Sequence, residues 1–180
     1  MSSVKIYGGK HANRKIHFNE EQIRPTSSRA RTVLFDWLRM EINNKSCLDL
    51  FSGSGILAFD AMSQGAGSVL CVDMDKLICQ QIQSEADRIG ESGISTRCLT
   101  YPAKIEGEFD ICFMDPPFSD MILFHQSLKQ LMDDNLVKMG SLLYIELPML
   151  LETIDGFQLI KQKKVASVYL HLFRKGDQSD

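Results

Sequence analysis

An α/β fold built on a mostly parallel sheet is what this sequence predicts, and three observations carry that expectation. Strand-like and helix-like runs take turns from Cys47 to Leu147, a glycine-rich turn joins the first strand of the series to its helix, and a last pair of strand-like runs has no helix between them. Such alternation places parallel strands in one sheet, covers both faces with helices and leaves a hairpin to close one edge. The 180 residues fit one domain spanning 1 to 180, with an N-terminal arm over 1 to 26 and a loose tail over 176 to 180.

Val4 to Tyr7 and Lys15 to Phe18 read as short strands around Gly8-Gly9-Lys10, a hairpin-like arm too small to own a core. From Ser28 onward, Ala30, Val33, Leu34, Trp37, Leu38 and Ile42 recur at helical spacing and form one apolar stripe, which leaves Arg29, Arg31 and Arg39 off it. Strands are then expected over Cys47 to Phe51, Ser68 to Val72, Ile94 to Leu99, Phe109 to Met114 and Ser141 to Leu147. Helices are expected from Ile56, over Lys76 to Ile89 and over Met121 to Met132, with closing strands over Phe157 to Lys161 and Ala166 to Phe173.

With 20 Lys and Arg against 23 Asp and Glu, the net charge of −3 argues on its face against a nucleic-acid binder, but the distribution is uneven. Lys5, Lys10, Arg14, Lys15, Arg24, Arg29, Arg31 and Arg39 crowd the first forty positions against Glu20, Glu21 and Asp36, and Lys161, Lys163, Lys164, Arg174 and Lys175 form a second, acid-free cluster. No apolar run approaches the roughly 18 residues that span a bilayer, and Met1 to Lys10 lacks the apolar core of a secretion signal. The expectation is a soluble cytoplasmic protein with no membrane attachment. The five cysteines form no CxxC pair, and Cys47, Cys71 and Cys112 sit in apolar runs, so neither a disulfide framework nor a zinc site is expected. His11, His17, His125 and His171 show no ligand spacing, and no metal is expected.

Two segments carry chemistry. After the strand from Cys47 comes Ser52-Gly53-Ser54-Gly55 and then apolar Ile56-Leu57-Ala58, the pattern of a strand, a turn that lets backbone approach a ligand, and a helix N-terminus. The next strand ends at Asp73, where a carboxylate can accept from ribose hydroxyls. Gly53, Gly55 and Ala58 also satisfy the dinucleotide fingerprint, so this loop alone does not separate an NAD-type ligand from S-adenosylmethionine. Asp49, in the strand before the loop, suits the amino acid end of a methionine better than a pyrophosphate. The second segment is Asp115-Pro116-Pro117-Phe118 after the strand Phe109 to Met114. Two prolines stop the strand and stiffen the chain beyond it, holding a carboxylate and the Pro116 carbonyl at the sheet edge. Methylation of an exocyclic base amine needs such acceptors, because the nitrogen lone pair is conjugated into the ring, and Phe118 offers a face for an extruded base.

Gly8-Gly9-Lys10, Arg14-Lys15, Ile23-Arg24-Pro25-Thr26, Arg29-x-Arg31, Leu34-Phe35-x-Trp37-Leu38, Asp49-Leu-Phe-Ser-Gly-Ser-Gly55 and Asp115-Pro-Pro-Phe118 occur in that order. In these motifs the chain resembles the bacterial 16S ribosomal RNA guanine-N2 methyltransferase family over most of its length. The resemblance implies a Rossmann-like class I methyltransferase fold with a seven-stranded sheet, S-adenosyl-L-methionine as cofactor, and ribosomal RNA or the small ribosomal subunit as partner of a monomeric enzyme. It implies that Thr26 closes the cofactor pocket, that Asp49, Phe51, Gly53 and Gly55 line it, that Asp73 grips the ribose, and that Asp115, Pro116, Pro117 and Phe118 serve the base. Lys10, Arg14, Lys15, Arg29 and Arg31 are the expected RNA contacts. Asn13 stands where the family usually has Gly, Thr32 where Glu is frequent, and Leu99 to Gly107 is short with no acid or amide at the strand end for the adenine, leaving Thr100 or a backbone amide.

Guanine presents N1–H and N2–H as adjacent donors, which the two oxygens of an ionised Asp115 can accept together. Adenine-N6 methylation of DNA or RNA is the nearest alternative, and a dinucleotide-binding oxidoreductase or a non-catalytic RNA-binding module is the alternative of another class. Glu146, ending a strand at the same edge, is placed to reach the base or RNA, but a plain capping or surface role is the first reading.

Overall fold

The structure is a computed structural model and describes residues 2–19, 23, 25–100, 103–117 and 120–176. Its elements in chain order are β1 (Ser2–Lys5), β2 (Lys15–Phe18), α1 (Ser28–Leu38), β3 (Ser46–Asp49), α2 (Ile56–Ser63), β4 (Ser68–Asp73), α3 (Lys76–Ile89), β5 (Ile94–Cys98), β6 (Phe109–Met114), α4 (Met121–Asp133), β7 (Val137–Leu147), β8 (Phe157–Val165) and β9 (Val168–Lys175). Seven strands form one sheet in the order β5-β4-β3-β6-β7-β9-β8, and β1 and β2 pair separately as the arm. The strands β5 through β7 run parallel, and β9 joins β7 and β8 antiparallel. This is the α/β architecture with an edge hairpin that the sequence predicts.

Side-chain alternation sorts each strand onto two cores. Cys47, Ile111, Phe113, Leu142 and Tyr144 face a cluster completed by α1, α2 and α3, whereas Leu48, Cys112, Met114, Leu143 and Ile145 face a cluster that contains Phe124 and Leu131 of α4. A period of two along parallel strands thereby decides which side of the sheet each functional residue meets.

Several boundaries differ from expectation. Helix α1 ends at Leu38 and Ile42 packs from the turn beyond it, so the helix is shorter than its apolar stripe. Its buried positions are Ala30, Arg31, Leu34, Phe35 and Leu38, a face turned one position from the Val33 and Trp37 stripe read in the sequence. Strand β7 begins at Val137, which pairs with Phe109 ahead of a register shift that brings Leu142 opposite Ile111. Strand β8 runs through Lys161, Gln162, Lys163 and Lys164 to Val165, since an edge strand can leave polar side chains in water. The expected tail beyond Gly176 lies outside the described residues.

The arm, rather than standing apart, lends Ile6 and Ile16 to the main core. Gly9 comes so close to α2 that a Cβ there would lie 1.8 Å from the Ser63 carbonyl oxygen, and Lys10 N–H donates to that oxygen at 2.9 Å. Asn13 adopts φ 66°, the left-handed conformation that explains why Gly usually stands there and why Asn, which tolerates it, can replace it. Across the core, the Tyr7 N–H donates to Asp60 Oδ1 at 2.6 Å and Arg31 NH1 to Asp60 Oδ2 at 2.6 Å.

Arg31 is thus a correction to the sequence reading: at 2 % exposure it is spent balancing a buried carboxylate and meets no solvent phosphate. Burial holds Asp60 up at about 6 even beside the guanidinium, so the pair is ionic at neutral pH. Arg31→Met should strand that carboxylate and destabilise the protein by about 3 to 5 kcal/mol in chemical denaturation, with faster hydrogen exchange at Tyr7.

Candidate active site

Sheet order reverses at β3, with β4 and β5 on one side and β6 and β7 on the other, and the crevice beyond the strands' carboxyl ends at such a point is where ligands bind in open α/β sheets. The turn after β3 is tied in place: Ser52 Oγ donates to the Asp49 carbonyl at 2.9 Å, and the Gly53 N–H donates to Asp73 Oδ2 at 3.0 Å. Gly55 caps α2 at φ 76°, and a Cβ there would lie 2.9 Å from Ile82 Cγ1 of α3, so both conformation and space demand glycine.

A cavity of about 770 Å³ opens over this turn. Its walls come from the segment before α1 (Pro25, Thr26), the turn (Phe51, Gly53), the end of β4 (Asp73), the end of β6 (Asp115, Pro116, Pro117), Glu146 of β7 and the β8–β9 turn from Val165 to Val168. Asp49 and Gly55 lie outside the lining set, in the layer that supports it. Phe118 and Arg24 lie outside the described residues. Leu99 rather than Thr100 faces the cavity, together with Met74 and Asp75, which leaves the expected adenine contact to other groups.

Electrostatically the site is one-sided. Asp73, Asp75, Asp115 and Glu146 line the cavity, and among the described residues no Lys or Arg does. Asp49 is 1 % exposed, neither carboxylate oxygen has a hydrogen-bond partner of ordinary geometry, and burial together with the charges of Asp115 and Asp73 pushes its pKa up to about 8. The Phe51 backbone N–H opposes that rise. Asp115 is raised to about 6 by burial, and the Thr26 hydroxyl, donating to Asp115 Oδ2 at 3.0 Å, lowers it. Glu146, 6 % exposed, accepts from the Tyr144 hydroxyl at 3.0 Å and is raised to about 7 by burial and by Asp115. Such an arrangement repels phosphate and attracts a cation.

Glu146 is the residue that sequence reading undervalued. Alternation along β7 puts it on the Tyr144 side of the sheet, the side that Cys47 and Phe113 mark for β3 and β6, so it shares a face with Asp49 and follows Asp115 around the crevice. The expected RNA contacts divide: Lys10 pairs with Glu91 at 2.7 Å, Arg14 donates to the Ile89 carbonyl at 3.0 Å, and Lys15 and Arg29 are exposed. His11 and His17 also meet Glu91 and Glu85, fastening the arm to α3 and the turn after it.

The family model described as "Conserved hypothetical protein 95" matches residues 4–174. A ribosomal RNA small subunit methyltransferase D from Haemophilus influenzae is 32% identical over 186 aligned residues, covering 95% of this chain and 93% of the relative. The chain belongs to this methyltransferase family. A solved putative methyltransferase from Escherichia coli superimposes with a TM-score of 0.87 at 26% identity, covering 97% of this chain and 99% of the other. A putative methylase from Haemophilus influenzae gives 0.81 at 27% identity, over 98% and 100% of the two chains. Membership in the methyltransferase family sets aside the dinucleotide reading of Gly53, Gly55 and Ala58, in agreement with a cavity whose described lining residues offer no cation to a pyrophosphate.

Among the described residues no helix is long and apolar enough to cross a membrane, and no group of three or more His, Cys, Asp or Glu is placed to hold a metal ion.

An uncompensated carboxylate in the floor of the methyltransferase site costs stability in the empty protein. Asp49 has a folded pKa near 8 against an ordinary value of 3.8, so its penalty is absent at low pH, grows as pH rises from about 4, and is complete above 8. Asp49→Asn should therefore stabilise the unliganded protein by about 1 to 2 kcal/mol at pH 8 and by little at pH 4, read as thermal midpoints across that range.

Proposed function

We propose that the chain transfers a methyl group from S-adenosyl-L-methionine to the exocyclic N2 amine of a guanine in small-subunit ribosomal RNA. The observation that carries this reading is Asp115: it is held at the end of β6 by Pro116 and Pro117, oriented by the Thr26 hydroxyl, and opens into the same cation-seeking cavity as the glycine turn. The names of the related methyltransferases support the RNA, and the adjacent N–H donors of guanine fit the two oxygens of one carboxylate.

The residues present fit the cofactor. Asp49, buried beneath the turn with no cation against it, would compensate its ammonium group, Gly53 leaves room for backbone approach, Gly55 lets the turn enter α2, and Asp73 would accept from the ribose hydroxyls. When bound, S-adenosylmethionine supplies an electrophilic methyl group on a positively charged sulfur. Asp115 accepts hydrogen bonds from the base amine and returns density to its nitrogen, an interaction that strengthens as the amine becomes cationic and therefore lowers the barrier. The Pro116 carbonyl is a second acceptor at the same edge, and Phe118 would stack on the base.

RNA would reach this mouth over exposed cations on two sides. Lys15 and Arg29 supply one, and the edge hairpin supplies Lys161, Lys163 and Lys164, with the turn between its strands lining the cavity itself. The proposal carries with it a cytoplasmic location and action as a monomer.

The experiment is transfer of labelled methyl groups to small-subunit RNA and to assembled subunits, with digestion and identification of the modified nucleoside by mass. N2-methylguanosine is expected, whereas N6-methyladenosine would convert the reading to the adenine enzyme. Asp115→Ala should slow transfer by on the order of a hundredfold while S-adenosylhomocysteine affinity in calorimetry holds. Replacing Lys161, Lys163 and Lys164 together by Gln should flatten the logarithmic salt dependence of RNA binding by about two to three units of slope, and an unchanged slope would remove the hairpin from the RNA path.

A further inference from the structure

Methyl transfer to a ring-conjugated amine requires that a proton be removed from the amine within the cavity. Transfer makes an N–C bond and breaks a C–S bond, so the positive charge on sulfur is replaced by one on the amine nitrogen. One N–H proton departs as the N–C bond forms, which yields the neutral secondary amine and makes the rate of transfer depend on the group that takes it. Asp115 is placed to accept hydrogen bonds from that amine, but it already takes one from Thr26, and a group that orients the amine throughout is a poor place to leave the proton.

We propose that Glu146 is the acceptor of that proton, so that the carboxylates at the ends of β6 and β7 divide the work at one nitrogen: Asp115 holds the amine and Glu146 deprotonates it. The inference rests on the proposed methyl transfer and assigns a step that Asp115 alone leaves open. Glu146 lines the same cavity as Asp115, at 6 % exposure, on the sheet face that also carries Asp49. Tyr144, two positions back on the same strand and fully buried, donates its hydroxyl at 3.0 Å to Glu146 Oε2, leaving the carboxylate's other oxygen for a ligand. That hydroxyl also fixes the rotamer of Glu146, which a residue merely ending a strand does not need.

The surroundings leave Glu146 poised. Asp115 faces it from the end of β6, Thr26 and Ser27 from the segment before α1, and Ala166 and Ser167 from the β8–β9 turn, while its register partner on β9 is Leu170. Asp115 in turn raises Asp49 in β3. Among these described groups none is a cation, so only the Thr26 and Tyr144 hydroxyls favour the ionised carboxylates, and a cationic amine is what the pair accommodates. Glu146, raised to about 7, is an effective acceptor near neutrality and returns its proton to solvent when product leaves.

Two variants test this on the intact protein, with single-turnover methyl transfer to small-subunit RNA measured across pH. The wild-type rate should rise with pH through about 7, because Glu146 must be ionised to accept. Glu146→Gln should slow transfer by on the order of a hundredfold and remove that rise, with S-adenosylhomocysteine affinity unchanged. Tyr144→Phe deletes only a donor that favours the charged form, so it should move the rise upward by roughly half a unit to one unit and keep the high-pH plateau. Independently of RNA, one component of the infrared protonated-carboxyl band should titrate near neutrality in the wild type, be lost in Glu146→Gln while the components of Asp49, Asp60 and Asp115 persist, and shift upward in Tyr144→Phe. Glu146→Gln transferring near the wild-type rate, or either the rise or the band staying in place in Tyr144→Phe, would overturn the assignment. A wild type that methylates no RNA would instead sink the methyl-transfer reading, and the inference with it, even if the carboxyl band titrates as described.

Discussion

The ion pair between Arg31 and Asp60 is the constraint on which the rest of the molecule is hung. Asp60 sits in the middle of α2 at 0 % exposure, and a carboxylate there can persist only against a cation delivered from another element. Arg31 delivers it from α1, and the Tyr7 N–H adds the arm. One buried charge thereby fixes three segments to one another. Because Thr26 lies five positions before Arg31, fixing α1 also sets the hydroxyl that reaches Asp115. The Asp115 carboxylate is consequently positioned from two directions, by the prolines that follow it and by a helix pinned on the far side of the core.

That rigidity lets the cavity carry acids that repel one another. Asp49, Asp115 and Glu146 all have raised pKa values, chiefly through burial and secondarily through mutual repulsion for Asp49 and Glu146. A looser scaffold would separate them or admit water. No Lys or Arg among the described lining residues offsets that repulsion, so the cavity favours ligands that carry positive charge.

Much of this was legible in the residues. The strand-turn-helix at Asp49 to Ala58, Asp73 at the end of the next strand and Asp115-Pro-Pro117 after Met114 each sit where local pattern puts them, because their signals are short-range. What escaped depends on contacts distant in sequence. Arg31 looks like a surface cation until Asp60 is known to lie across from it, and the apolar stripe through Val33 and Trp37 gave no hint that the buried face is turned by one position. Glu146 looks like a strand end until β7 is placed next to β6, a pairing between residues far apart in the chain. The arm's cations were read as free because their partners, Glu91 and the Ile89 carbonyl, belong to α3 and the turn beyond it. Polar Lys161 to Lys164 read as the end of a strand, whereas an edge position needs an apolar face on one side only.

The lysines of β8 have a consequence apart from any ligand. A nine-residue outer strand offers a row of unsatisfied backbone donors and acceptors, the kind of border along which one sheet can zip onto another and seed aggregates. Three like charges within four residues make that zipper self-repelling, since a second copy arriving alongside would bring the same cations into register. The border is thus guarded against its own kind, and an increase in ionic strength that weakens the guard would be felt first as a loss of solubility at high protein concentration, with the fold intact.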